Sequence, residues 1–262
     1  MATYTAWKEV WKLPVQAMTE LIFPRVCQLC GICLEQEKTQ YKQCISIHFC
    51  SDCTNQLLQL RQQGCSRCAA TLPKGSACQD GCPFCQNEDF SFHSIHAWGA
   101  YEKSLQQMIV LMKQQENEQL SYYAGVILAE AFGDVLASRT VEAVVCVPLH
   151  WTRRLWRGYN QAETLARAVA TRWNLPFYSH WLCRRRSTSR QATLTPTQRR
   201  KNLTLAMQAS IPTKYRGRHV LLVDDVVTTG ATVDACSKAL LSAGARQVTV
   251  LALARATGTR IT

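Results

Sequence analysis

The chain has 262 residues, 47% of them hydrophobic, and its 30 Lys and Arg outnumber 18 Asp and Glu for a formal charge of +12. It is too apolar for a disordered polymer and too long for a disulfide-stapled miniprotein, and no apolar run reaches the ~18 residues of a membrane-spanning helix. Charge and cysteine are unevenly spread: residues 1–90 hold 11 of the 14 cysteines and no net charge, whereas residues 91–262 carry the whole +12. The excess is sharpest over residues 151–218, with 15 Lys and Arg against one acid, Glu163. Such a surface seeks anions, whether phosphorylated small molecules or nucleic acid, with acidic lipid a weaker third.

At the N-terminus, Trp7, Val10, Trp11, Val15, Met18 and Ile22 recur at helical spacing across Pro14. Residues 1–24 therefore read as a packing helix or arm, with partner or membrane contact as the alternative. Lys8, Glu9, Lys12 and Glu20 break the segment before a secretory apolar region forms. The expectation is a cytoplasmic protein, where paired cysteines serve as metal ligands more often than as disulfides.

Residues 25–90 hold four CxxC pairs: Cys27/Cys30, Cys50/Cys53, Cys65/Cys68 and Cys82/Cys85. Two residues between thiols place both sulfurs on one tight turn, and two such turns complete a tetrahedral zinc site. Nineteen residues separate Cys30 from Cys50 and thirteen separate Cys68 from Cys82, against a usual ~15–20. The simplest pairing is sequential, giving two structural Zn²⁺ ions in a double zinc-ribbon-like domain; an interleaved pairing stays open. Closed four-thiolate sites leave no open coordination position, so these are structural. Large apolar residues are few between 27 and 85, so this segment needs metal to fold. Cys33, Cys44 and Cys78 are spare, although Cys33 is placed to substitute for a neighbour, and His48 reads as a packing residue.

The remainder, 91–262, reads as a parallel-sheet α/β domain. Residues 141–149 form an apolar strand ended by Pro148. A basic loop follows, with Arg153, Arg154, Arg157 and Gly158, and then a helix with Asn160 and Glu163 in capping-box spacing. Guanidinium groups bind phosphate in bidentate fashion, so this loop suits a pyrophosphate or a nucleic-acid backbone. Trp151, Trp156 and Tyr159 are candidates for base stacking, while Trp173 belongs to a buried helix face. His150 is the nearest candidate acid or base, and turn histidines are as often structural.

Residues 219–232 read HVLLVDDVVTTGAT. Val220 to Val223 suit a strand buried on both faces, and Asp224 and Asp225 fall at its carboxyl end, where open α/β sheets bind ligands. Thr228, Thr229, Gly230, Ala231 and Thr232 then supply hydroxyls and free N–H groups at the mouth of the next helix, an anion site. Thr232 to Ala243 repeat at helical spacing, Gly244 is the stop, and Val248 to Leu253 are a second buried strand. No GxxxxGK[ST] loop occurs, so ATP hydrolysis has no motif.

Four apolar residues, two acids, then TTGAT resemble the PRPP-binding signature of type I phosphoribosyltransferases. That resemblance implies that Asp224 and Asp225, the candidate catalytic pair, hold the ribose hydroxyls, that Thr228 to Thr232 take the 5-phosphate, and that Mg²⁺ accompanies PRPP. Pro148, Arg153 and the run Arg157, Gly158, Tyr159, Asn160, Gln161 are similar to a loop of the ComF/GntX family, where Phe usually stands in place of Tyr159. Thr188, Gln191, Leu194, Arg199 and Asn202 resemble that family's next motif, which implies a mobile hood over the ligand. With the cysteine pairs, the match runs from about residue 21 to the C-terminus. It implies a role in uptake or use of external DNA, with a phosphoribosyl small molecule, single-stranded DNA and competence-machinery proteins as candidate partners. An adaptor or single-stranded DNA-binding protein without transfer activity is the alternative.

Overall fold

The computed structural model describes residues 24–34, 48–61, 64–72, 81–137, 140–185 and 204–256. Residues 1–23, Cys44, Cys78 and the hood residues Thr188, Gln191, Arg199 and Asn202 lie outside the described residues. The chain divides into two compact units, Met1–Asn55 and Gln56–Thr262. The second pair of CxxC turns, grouped with the first pair in the sequence reading, thus falls within the larger unit.

In the smaller unit, Val26 bridges Cys33 in antiparallel fashion. The turn between them is closed by Cys27 N–H on Ile32 O and Gly31 N–H on Cys27 O, both 2.8 Å. Cys27 and Phe49 are buried, and helix α1 (Ser51–Gln59) begins directly after Cys50.

The larger unit is built on four parallel strands: β1 (Ser94–Ala100), β2 (Ala143–Cys146), β5 (His219–Val227) and β6 (Gln247–Arg255), in the order β1-β6-β5-β2. Between β1 and β2 the chain forms α2 (Lys103–Leu111) and α3 (Glu118–Ala137). After β2 come α4 (Trp151–Arg157) and α5 (Gln161–Arg172), and α6 (Ala231–Ser242) joins β5 to β6. A small antiparallel pair is formed by β3 (Leu182–Arg184) and β4 (Met207–Ala209), on either side of residues 186–203 in the sequence, which lie outside the described residues.

The four β5 residues Val220 to Val223 have no exposed surface, as expected of a central strand covered on both faces. Val220 and Leu222 join Val145, Val248 and Val250 in one core that includes Val233, Cys236 and Leu240 of α6 and Trp181 beside the hairpin. By the two-residue alternation of strands, Leu221 and Val223 face the opposite side, which α3 and α5 cover. Each such side chain removed from water contributes roughly 1.5–3 kcal/mol.

This layering matters for function. The helix that follows β2 covers one face of the sheet and the helix that follows β5 covers the other, while β2 and β5 lie side by side. Their carboxyl ends therefore open a crevice of the kind in which α/β proteins bind ligands.

Two elements differ from the sequence reading. β5 runs on past the acids to Val227, because β6 continues beside it and pairs Asp224 with Ala252, Val226 with Ala254 and Val227 with Arg255. The basic loop after β2 is a helix, α4: His150 caps its start by accepting from Thr152 N–H at 3.4 Å, and Gly158 ends it at φ 75°. Positive φ is open to glycine without the Cβ clash other residues meet.

Candidate ligand site at the carboxyl edge of the sheet

Asp224 and Asp225 project from the last turns of the β5 ladder. Asp224 is buried at 8% exposure, and its Oδ1 accepts from the Asp225 N–H at 2.9 Å. Asp225 is half-buried; its Oδ1 accepts from Val226 N–H at 2.8 Å and its Oδ2 lies 4.0 Å from Lys113 Nζ. Burial, then the neighbouring Asp225 charge, hold the Asp224 carboxyl well above the ordinary value of 3.8. One acid of the pair is thus held above the usual carboxylate range, and the other faces an amine.

Three residues after Val227 the chain turns into α6. Thr228 and Thr229 are exposed, and Gly230 is buried at φ 83° directly ahead of the helix. The Thr229 hydroxyl accepts from Ala231 N–H at 3.3 Å. The other N–H groups of the first turn have no partner within the helix, and the helix dipole adds positive potential there. The turn can therefore accept an anion beside a diacid that accepts hydroxyl hydrogens.

Across the crevice, the polar residues of the β2–α5 segment point inward. His150 is buried and holds Thr152 Oγ1 at 2.7 Å. Tyr159 is 8% exposed, and its hydroxyl bonds to Met112 O and, at 3.2 Å, to Ser121. Asn160 donates to Val147 O at 3.1 Å and accepts from Ala162 N–H at 3.2 Å, so it welds the end of β2 to the start of α5. Glu163 does not complete a capping box; Arg154 and Arg167 each approach it at 3.2 Å. Gln161 is buried, with Oε1 3.4 Å from Arg157 and no partner for Nε2 among the described residues. The apolar side chains point outward instead: Trp151, Leu155 and Trp156 are 65%, 79% and 83% exposed.

The eight paired cysteines form two clusters, Cys27/Cys30/Cys50/Cys53 and Cys65/Cys68/Cys82/Cys85, each with all sulfurs within 4.8 Å of one another. This is the sequential pairing. Tetrahedral ligands at ~2.3 Å from a zinc ion stand about 3.8 Å apart. The sulfurs of Cys68 and Cys82 are 3.5 Å apart, those of Cys65 and Cys85 3.8 Å, and those of Cys30 and Cys50 3.7 Å. Burial raises the Cys27 thiol, but N–H groups of Cys50, Cys30 and Leu29 outweigh it and bring the pKa to about 7. In the second cluster burial is likewise outweighed at Cys65, by Cys68 and Arg67 N–H and the Cys82 and Cys85 thiols, again to about 7. Each cluster thus fits a structural zinc ion, and neither includes His48 or Cys33.

A model of the phosphoribosyl transferase domain matches residues 160–261. Competence protein F of Haemophilus influenzae is 29% identical over 211 residues, covering 79% of this chain and 90% of that protein. DNA utilization protein YhgH of Escherichia coli is 39% identical over 115 residues, which are 44% of this chain and 49% of that protein, so this alignment spans about half the length of YhgH. Competence protein ComFC of Streptococcus pneumoniae is 24% identical over 211 residues, 79% of this chain and 87% of that protein. The chain is thus similar to ComF-type competence proteins over most of its length, and its C-terminal part matches the phosphoribosyl transferase domain.

The residues marked by the resemblance to the PRPP-binding signature, Asp224, Asp225 and Thr228 to Thr232, lie together on β5 and the turn into α6. Arg157 and Gly158 end α4, and Asn160 and Gln161 open α5. Arg154, Glu163 and Asp224 all act on the buried Cys146 thiol at the end of β2, which burial pushes up to about 12. Tyr159 is unavailable for base stacking because its ring is buried, whereas Trp151 and Trp156 are open to it. Trp173 is half-buried, donating to Ala129 O at 2.9 Å, and lines an apolar cavity of about 260 Å³ that holds none of the site residues.

Three residues at this edge of the sheet escaped the sequence reading. Lys113 faces Asp225, Asp234 of α6 accepts from Ser91 N–H at 2.8 Å, and Arg255 reaches the end of β5. Lys113 and Asp234 carry no local signal, since their partners are remote in sequence. An arginine terminating the apolar run before it is the one local hint at Arg255.

Proposed function

We propose that this chain binds PRPP, as its Mg²⁺ complex, or a closely related phosphoribosyl ligand, and acts in the cytoplasm in the uptake or utilisation of external DNA. The supporting observation is the diacid at the end of a central strand running directly into an exposed Thr-Thr-Gly turn at a helix start. The names of the relatives, competence protein F and DNA utilization protein YhgH, support the biological setting.

In this reading Asp224 and Asp225 hold the ribose hydroxyls and Thr228 to Thr232 receive the 5-phosphate. Arg153 and Arg157, with Gly158, Asn160 and Gln161, frame the pyrophosphate, and Thr188, Gln191, Arg199 and Asn202 close over it. Zinc ions in the two thiolate clusters are structural. The proposed division is an arm at 1–24, a double zinc-ribbon-like region at 25–90 and the phosphoribosyltransferase-like region at 91–262. In a transfer reaction, the bond from the anomeric carbon to pyrophosphate breaks, so positive charge grows on the ribose and negative charge on the leaving group. Arginine and backbone N–H groups aimed at that leaving group lower the barrier by electrostatics, and Mg²⁺ adds neutralising charge. Calorimetric titration with Mg-PRPP tests the binding claim. Wild type is expected to bind and Asp224→Asn/Asp225→Asn to bind at least tenfold more weakly; equal, negligible affinities would refute it.

A second reading rests on a different observation, the exposed Trp151 and Trp156 on a helix that also carries Arg154 and Arg157. That face suits single-stranded DNA, with bases stacked on indoles and phosphates met by guanidiniums. Its affinity for a short single strand should fall steeply with salt, and a flat salt response would exclude backbone contacts.

A further inference from the structure

The second thiolate cluster is linked to the Thr228–Gly230 turn at both of its ends, through Arg255 and through Phe90. At the start of the turn stands Val227. Its carbonyl accepts from Arg255 Nη1 at 3.2 Å, and Nε of the same guanidinium donates to the carbonyl of Cys68, a cluster residue, at 2.8 Å. Arg255 is 5% exposed, so its charge is satisfied by these carbonyls and by Ala256 O at 3.4 Å rather than by water.

At the end of the turn stands Gly230. A methyl group built there would meet the Phe90 ring at 3.4 Å. Phe90 packs against the cluster and stacks on Phe92 at 4.6 Å. The neighbouring Ser91 N–H binds Asp234 in the first turn of α6 at 2.8 Å. Arg67, inside the Cys65/Cys68 turn, ties this segment to the cluster by donating to Cys85 O at 3.1 Å and Glu88 O at 2.8 Å, and it lies over the Phe90 ring at 6.0 Å.

Four thiolates around a divalent ion leave two net negative charges, which buried cations nearby offset. Arg255, buried, and Arg67, half-buried, are the cations here, and each donates to a backbone carbonyl of a cluster residue. A loaded cluster therefore favours the guanidinium position that also grips Val227, and outer groups of this kind commonly orient a metal site.

We propose that Arg255, with Phe90, is a positioning residue that couples metal occupancy of the Cys65/Cys68/Cys82/Cys85 cluster to the geometry of the Thr228–Gly230 anion turn. The cluster is then part of the ligand site's support, and metal and phosphoribosyl ligand strengthen each other's binding. This rests on the phosphoribosyl reading above. Reciprocity requires that if metal improves ligand affinity by some factor, ligand improves metal affinity by the same factor.

The test uses zinc-loaded full-length protein and a chromogenic chelator, with and without saturating Mg-PRPP. Ligand should slow zinc release from the second cluster by about tenfold, within the ~5–150-fold range of such couplings, and leave the first unchanged. A Cys27→Ala/Cys30→Ala variant, which retains only the second site, assigns the phases. Arg255→Met should bind Mg-PRPP about tenfold more weakly and lose the ligand's protection of zinc, with Phe90→Leu showing a smaller change in the same direction. Phe90→Leu and the wild-type release rates decide the matter where Arg255→Met does not fold. If wild type binds Mg-PRPP but release rates ignore it and Phe90→Leu binds as wild type does, the coupling is wrong and the phosphoribosyl reading stands. No binding by wild type overturns both.

Discussion

The two segments that flank the crevice occupy equivalent places, each leaving the carboxyl end of a parallel strand and entering a helix, yet they use their side chains in opposite ways. After β5, the polar groups face out: Thr228 and Thr229 are exposed, and the backbone beneath them is braced by Arg255 and Phe90. After β2, the polar groups His150, Tyr159 and Asn160 face in, closing α4 and tying it to β2, while Trp151, Leu155 and Trp156 face out. One segment offers backbone and hydroxyls to a ligand. The other spends its hydrogen bonds on its own shape and offers aromatic surface. The lesson is that a strand-to-helix connection can be built for a small anion or for a flat partner, depending on which groups the fold has already used.

The largest effect should come from breaking the inward-facing side. Asn160→Ala removes the cap of α5 and strands the buried Val147 carbonyl, at a cost of about 2–4 kcal/mol by urea unfolding. A cost under about 0.5 kcal/mol would mean that the bonds of Asn160 to Val147 O and Ala162 N–H do not hold α5 in place. Next, Gly230→Ala forces a Cβ into positive φ against Phe90 and should cost about 1–2 kcal/mol while weakening Mg-PRPP binding, read by unfolding and by calorimetry.

A change of opposite sign is expected at Asp224. Because burial raises its pKa in the folded chain, the folded state holds the extra proton above the ordinary 3.8, and stability falls as pH rises from there through the raised value. Asp224→Asn should remove that slope, melting higher than wild type at neutral pH and losing the advantage at acidic pH below about 4, as followed by thermal melts across pH. Trp156→Ala should have the smallest effect on stability, within about 0.5 kcal/mol, since the ring is 83% exposed. Single-stranded DNA binding by the same variant measures whether the outward face is used.

The order of elements from β5 to β6 was legible in residues 219–253, because continuous apolar runs, a glycine stop and a Thr-Thr-Gly turn are local signals of strand, helix end and anion turn. The sulfur clusters were legible in the same way, since a CxxC pair is a turn and a metal site together. α4 was not, because its apolar residues Trp151, Leu155 and Trp156 are interleaved with three arginines and stay exposed, so no buried stripe marks the helix, whose ends are set by His150 and Gly158. The role of Tyr159 was not legible either, since the carbonyl and hydroxyl that bury its ring come from Met112 and Ser121, remote in the chain.

By itself, then, the sequence determined which groups carry the chemistry: the diacid, the Thr/Gly turn, the thiolates and the arginine excess, all held in contiguous runs. Only the tertiary structure decided which of them are free to act. Whether a polar side chain meets a ligand or a neighbouring carbonyl depends on what the sheet brings beside it. Parallel strands make those neighbours distant in sequence, as with Lys113 facing Asp225 and Arg255 joining Cys68 to Val227.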